Sequence, residues 1–179
     1  YATTSNFLDD ARMRQLIASA KRSADLVVAY LHVGAEGSDA THVTGHDERY
    51  LGEDRGNPRA IAHAAIDAGA DLVVASGPHV LRGMEYYRDH LVAYSLGDFV
   101  GYGNFSTTGT LALTGALRVG LDRAGHAAAA RFTSLRLNVS GRPAIDPGAR
   151  AASLVNQLSI ADFGAAAAVV AASGEVHRH

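Results

Sequence analysis

A chain of 179 residues with 47% hydrophobic content is long enough to bury one core, and residues 1–179 suit a single domain. Sixteen basic residues against eighteen acidic ones leave no field strong enough to draw in nucleic acid or an anionic bilayer. With no cysteine, disulfides and thiolate metal sites are excluded, so a transition metal here would need His, Asp, Glu or Asn ligands.

The first element in chain order is a helix over 9–23, where Met13, Leu16, Ile17 and Ala20 recur at helical spacing and Asp9 is placed to cap. "DLVVAYLH" (25–32) is a continuous apolar run of the kind that suits a parallel strand buried on both faces. Residues 33–56 are polar and glycine-rich, which predicts a long loop; His42, His46, Asp47 and Glu48 in it read as solvated residues. "NPRAIAHAAIDAG" (57–69) predicts a helix with Asn57 as N-cap, Pro58 in the first turn and Gly69 as the stop. His63 on it reads as a packing or surface residue. "DLVVAS" (71–76) is a second buried strand.

The two strands are near copies, "ADLVVAYLH" and "ADLVVASGPH", and each leads to a histidine. A helix between parallel strands puts both carboxyl ends, and so His32 and His79, on one edge of the sheet, where open α/β sheets bind ligands. The pattern then turns antiparallel. "MEYYRDHLVAYSLGDFV" predicts a hairpin turning near Arg88 and Asp89; "GTLALTGALRVGLDRAGHAAAARFTSLRLNV" predicts another turning at 122–125, with Leu111, Leu113 and Leu117 on its buried face. Pro143 and Pro147 punctuate the exit, 149–164 reads as a surface helix, and His177 and His179 read as a frayed tail. No run is long enough to cross a bilayer, no secretory signal is legible, and "FGAAAAVVAASG" is short and broken by glycine.

Two histidines at one sheet edge invite metal or proton chemistry. His32 in "HVGAEG" has Glu36 four residues on, and imidazole with carboxylate can bind a borderline cation or move a proton; a strand-end histidine bonded to a loop carbonyl is the plain alternative. In "SGPHV", proline stiffens the connection that presents His79, as a ligand requires and as an ordinary turn also allows. In "YSLGDF", Ser95 and Asp98 end a strand; Asp98 either orients a histidine or caps its own turn. No serine elbow, Walker loop or dinucleotide fingerprint is present, and "GYGNFSTTG" lacks the setting of one.

In that order, "HVGAE", "GNPRAIAHAAIDAGADLVVASGPHVLRGMEYY" and "LVAYSLGDFV" resemble the CapA family of bacterial capsule and poly-γ-glutamate synthesis, over about residues 10–120. The resemblance implies the C-terminal part of a four-layer α/β/β/α sandwich of the calcineurin-like metallophosphoesterase fold, parallel βαβ first and antiparallel hairpins after. It also implies a divalent metal (Mn, Fe or Zn) held by His32 and His79, with Glu36 and the Ser95 to Asp98 turn beside it. Val33 stands where the family usually has tryptophan, Asp98 where it usually has asparagine, and Ser76 where some members carry another histidine. Of the family's amino-terminal motifs, Asn-x-Glu and Asn-Asn-His are not in this sequence and Gly-Asp occurs only late, at Gly97-Asp98, which implies an incomplete site and a chain entering the fold midway at Tyr1. The expected function is that of a metal-dependent hydrolase-like protein of the cell envelope or exterior. Its substrate would be an anionic polymer or a phosphoester, with His32 or Glu36 moving the proton, and the fragment inactive alone. The rival expectation is a non-catalytic module that binds polymer or a synthesis partner through Arg49, Arg55, Arg59 and Arg82. An exposed sheet edge favouring a homodimer completes the expectations.

Overall fold

The computed structural model describes residues 6, 8–101 and 103–179; Tyr1, and Tyr102 of "GYGNFSTTG", lie outside them. Helix α1 (Asp10–Ser23) starts where Asp9 accepts a hydrogen bond from the Arg12 N–H, and it buries Met13 and Ile17. It leads to β1 (Val28–His32). Strands β2 (Arg49–Tyr50) and β3 (Glu53–Asp54) pair as a small antiparallel hairpin inside the segment expected to be a plain loop. Helix α2 (Pro58–Asp67) begins at Asn57, whose side chain accepts from the Ala60 N–H, and proline in the first turn surrenders no needed donor. Strand β4 (Leu72–Ser76) then pairs parallel to β1, with His32 opposite Ser76.

Strands β5 (Met84–Tyr87) and β6 (His90–Ala93) close through Arg88 and Asp89, both at positive φ, as a two-residue primed turn requires. Strand β6 also lies parallel to β4, so the main sheet runs in the order β1-β4-β6-β5. A second sheet follows. Strand β7 (Leu113–Leu121) pairs with β8 (Ala127–Leu137), and β8 pairs with β9 (Pro143–Ile145). Leu111, expected in the strand, falls in the 3-10 turn before it. Helix α3 (Arg150–Phe163) starts over Asp146, which accepts from the N–H groups of Arg150 and Ala151. Strands β10 (Ala168–Val170) and β11 (Val176–Arg178) end the chain.

Alternate residues of β4 feed two cores. Val73 and Ala75 meet Met13, Ile17, Ala65 and Ile66 of the helical layer, while Leu72 meets Phe132 of β8 and Ala151 and Val155 of α3. The sheet therefore lies between α1 with α2 on one side and α3 with the second sheet on the other.

Three expectations need correction. Strand β1 is the sheet's edge and is buried on one face only: Val28 is 55% exposed and Tyr30 68%, because the α3 layer covers β4 and β6 and leaves β1 bare. An apolar run alone does not distinguish these cases. Helix α3 is packed rather than superficial, burying Ala151, Val155, Leu158 and Phe163. His177 and His179 are not frayed: His177 pairs with Val169 across β10 and β11, and the His179 N–H donates to Ala167 O.

Candidate functional site

The candidate site forms where β1, β4 and β6 end, because parallel strands deliver their following residues to one edge. Past β4 the chain must turn sharply against β1. Gly77 takes φ 122°, and a Cβ there would lie 2.9 Å from the Val33 carbonyl oxygen. Only glycine fits that approach without strain. Two residues on, His79 is itself left-handed at φ 59°, a conformation that costs a non-glycine residue about 1–2 kcal/mol. The surroundings hold it there. Pro78 O accepts from the Gly37 N–H, and the His79 ring packs 5.3 Å from that of Phe105.

His79 Nδ1–H donates to Asp98 Oδ1 at 2.7 Å, which fixes the tautomer and leaves the Nε2 lone pair free. Asp98 is buried, and among the described residues its side-chain hydrogen bond goes to the histidine rather than to its own turn. Nε2 lies 3.7 Å from Glu36 Oε2, and the other oxygen of Glu36 accepts from Arg55 Nη2 at 2.7 Å. Ser95 is buried beneath, its Oγ accepting from the Gly97 N–H; it reaches neither histidine. His32 comes from the neighbouring strand. Its Nδ1 is 3.4 Å from Ser76 Oγ, which in turn sits 2.6 Å from the Tyr30 hydroxyl. Tyr30, His32, Ser76, His79, Ser95 and Asp98 line one cavity of about 230 Å³.

The structure thus brings His32, His79, Ser95 and Asp98 to one cavity and sets Glu36 at its rim. Each imidazole is hydrogen-bonded through Nδ1 and makes no hydrogen bond through Nε2 among the described residues, although Nε2 of His79 has Glu36 at 3.7 Å; a ligating histidine likewise has its second nitrogen held by a partner. Among the described residues, no three His, Cys, Asp or Glu side chains converge closely enough to hold a metal ion. Imidazole and carboxylate groups are of the donor type that suits a borderline divalent cation.

The family model described as bacterial capsule synthesis protein PGA_cap matches residues 2–102, over half of the chain. The chain belongs to that family. Among similar proteins, the PGA biosynthesis protein CapA of Bacillus subtilis (strain 168) is 38% identical over 85 residues, 48% of this chain and 19% of that protein. The capsule biosynthesis protein CapA of Bacillus anthracis is 38% identical over 80 residues, 45% of this chain and 16% of its own. An uncharacterized protein, y4sH of Sinorhizobium fredii, is 54% identical over 41 residues, 23% of this chain and 9% of its own. The matched region therefore spans less than a fifth of either Bacillus protein. The family match ends at residue 102, so it includes every residue of the cavity.

Several residues in and beside the loop differ from their expected places. Glu48, read as solvated, accepts from both terminal nitrogens of Arg82 at 3.0 and 2.8 Å and from the Ala35 N–H at 2.7 Å. Arg82, read as a polymer contact, is 1% exposed and also donates to Ala40 O. It ties the loop down and has no face left for a polymer. Arg55 and Arg59 are likewise paired, with Glu36 and Glu85, while Arg49 stays exposed. His46 and Asp47 are exposed as expected, whereas His42 bonds to Asp162 at 2.7 Å. Sequence reasoning also missed Tyr30 as a partner of the site. The signal was present: two residues before His32 on a strand is the same face.

Proposed function

We propose that this chain acts in bacterial capsule or poly-γ-glutamate synthesis at the cell envelope, as its Bacillus relatives are named for, and that the cavity supplies His79 and His32 to a divalent-metal hydrolase-like site. This reading places the chain in the four-layer metallophosphoesterase fold. A parallel βαβ unit followed by hairpins, with both histidines at the carboxyl edge, supports it. The observation that carries it is the Asp98–His79 pair, a carboxylate accepting from Nδ1–H so that Nε2 keeps a lone pair that a cation can take. A divalent ion bound there would acidify a water and polarise a phosphoryl or amide group. In this chain Asp98 orients His79, and His32 or Glu36 is placed to hold a proton. No described helix is long and apolar enough to cross a membrane, so envelope attachment in this reading does not run through one of them.

Calorimetric titration with Mn2+ and Zn2+ tests the proposal, followed by phosphoester hydrolysis with the metal present. Weak binding is expected, lost in His79→Ala and weakened about 10–100-fold in Asp98→Asn, the usual effect of removing an outer partner. No metal uptake by the parent chain, or uptake indifferent to His79→Ala, defeats it.

A further inference from the structure

The proposed metal reading asks that His32 keep a lone pair on the nitrogen facing the cavity, and the fold contains a device that does this. Tyr30 and His32 project from the same face of β1, and Ser76 stands directly across the ladder from His32. Their polar atoms form a chain: Tyr30 Oη to Ser76 Oγ at 2.6 Å, and Ser76 Oγ to His32 Nδ1 at 3.4 Å. The second contact is long, as such bonds are before a site is filled. His32 Nε2 has no protein partner among the hydrogen bonds of the described residues. Tyr30 is 68% exposed, so its hydroxyl can donate to water.

We propose that Tyr30 and Ser76 are positioning residues for His32. The His32 Nδ1–H donates to Ser76 Oγ, the Ser76 hydroxyl donates to Tyr30 Oη, and the Tyr30 hydroxyl donates to solvent. Each oxygen then gives one proton and accepts one, and His32 Nε2 keeps its lone pair toward the cavity. The second imidazole gains from two neutral hydroxyls what His79 gains from the Asp98 carboxylate. No charge is added next to His32. Ser76, at a position where some relatives carry histidine, thereby serves the site through His32 rather than as a ligand of its own. This inference rests on the metal reading only for its purpose, because the hydroxyl chain exists without any ion.

Nitrogen-15 NMR of the His32 ring near pH 8.5, where imidazole is ordinarily neutral, reads the tautomer directly. The parent chain is expected to show His32 mainly as Nδ1–H, with exposed His46 as the internal reference for a ring without a fixed partner. Ser76→Ala should move the His32 signals to the His46 pattern, Tyr30→Phe should move them part of the way, and Ser76→Thr should restore the parent pattern. Amide spectra of the variants establish that each is folded. An Nε2–H tautomer in the parent overturns the inference, as does an Nδ1–H signal unchanged in Ser76→Ala. The two readings separate cleanly: an Nδ1–H signal that depends on Ser76, in a chain that takes up no metal, sustains the positioning role and defeats the metal reading alone.

Discussion

At the scale of single residues, the cavity depends on backbone that only certain side chains tolerate. Gly77→Ala places a methyl 2.9 Å from the Val33 carbonyl at a φ of 122°. It is expected to cost about 1–3 kcal/mol in urea unfolding and to weaken metal uptake, because His79 hangs on the same turn. The Arg82–Glu48 pair gives a second test. Arg82 is fully buried and Glu48 nearly so, so Glu48→Ala leaves a buried guanidinium without its counter-charge and should destabilise by about 3–5 kcal/mol. Arg82→Met combined with Glu48→Ala should recover part of that loss and no more, since Ala40 O then lacks its donor. Denaturant midpoints of the three variants check both statements. These two sites also mark the limits of sequence reading. The Ser-Gly-Pro-His turn was legible because glycine and proline have narrow backbone preferences. Arg82 was not, because an arginine among loop residues carries no local mark of the carboxylate 34 positions away that will bury it.

Between elements, α2 is fastened to the sheet by a polar cluster lying opposite the α3 layer. Glu85 of β5 is fully buried and accepts from Tyr94 Oη at 2.6 Å and from His63 Nε2 at 2.7 Å, and Arg59 lies 3.4 Å away. His63 also stacks on Tyr87 with ring centroids 3.7 Å apart. Burial works against the charge on Glu85. The hydrogen bonds from His63 and Tyr94 and the nearby positive charge outweigh it, so the carboxyl is held below its ordinary value of 4.5. Burial and the Glu85 charge push the Tyr94 hydroxyl up, keeping it a donor. A carboxyl depressed by folding contributes stability that is fully present above its unfolded value and is lost as pH falls through the folded one. Melting temperature should therefore drop steeply below about pH 4.5 in the parent. Glu85→Gln should start about 1.5–3 kcal/mol less stable at neutral pH and show a flatter acid limb. Equal slopes in the two proteins would contradict the assignment. Apart from the β2–β3 hairpin, the element order from α1 to β8 was readable because each unit carries its own punctuation: Asp9 and Asn57 as caps, Arg88 and Asp89 at a tight turn. Strands β9 to β11 were not readable, since segments of three residues show no period and owe their existence to β8 and α3.

Over the whole molecule, the two edges of the main sheet are treated differently. Outside β5 the chain returns, with Glu85 bridging to Ala167, so that edge is covered. Outside β1 no described strand pairs, and its free face carries Val28 and Tyr30 beside the half-exposed Leu26. The strand has no lysine, proline or bulge to discourage pairing, and such an edge is a template for another strand. A second copy offers the same edge, and an isologous pairing would extend the sheet across both chains. Sedimentation velocity over rising concentration should accordingly show a growing dimer fraction. Val28→Lys sets a charge on the free face and should return the chain to monomer. Its unfolding free energy should stay within about 0.5 kcal/mol, because Val28 is mostly exposed in the single chain. A chain that stays monomeric throughout, or a dimer untouched by Val28→Lys, would locate association away from β1. Because His32 ends that strand, pairing along it would also bring the two cavities of a dimer near one seam, and cavity variants that leave β1 intact should leave the dimer fraction unchanged.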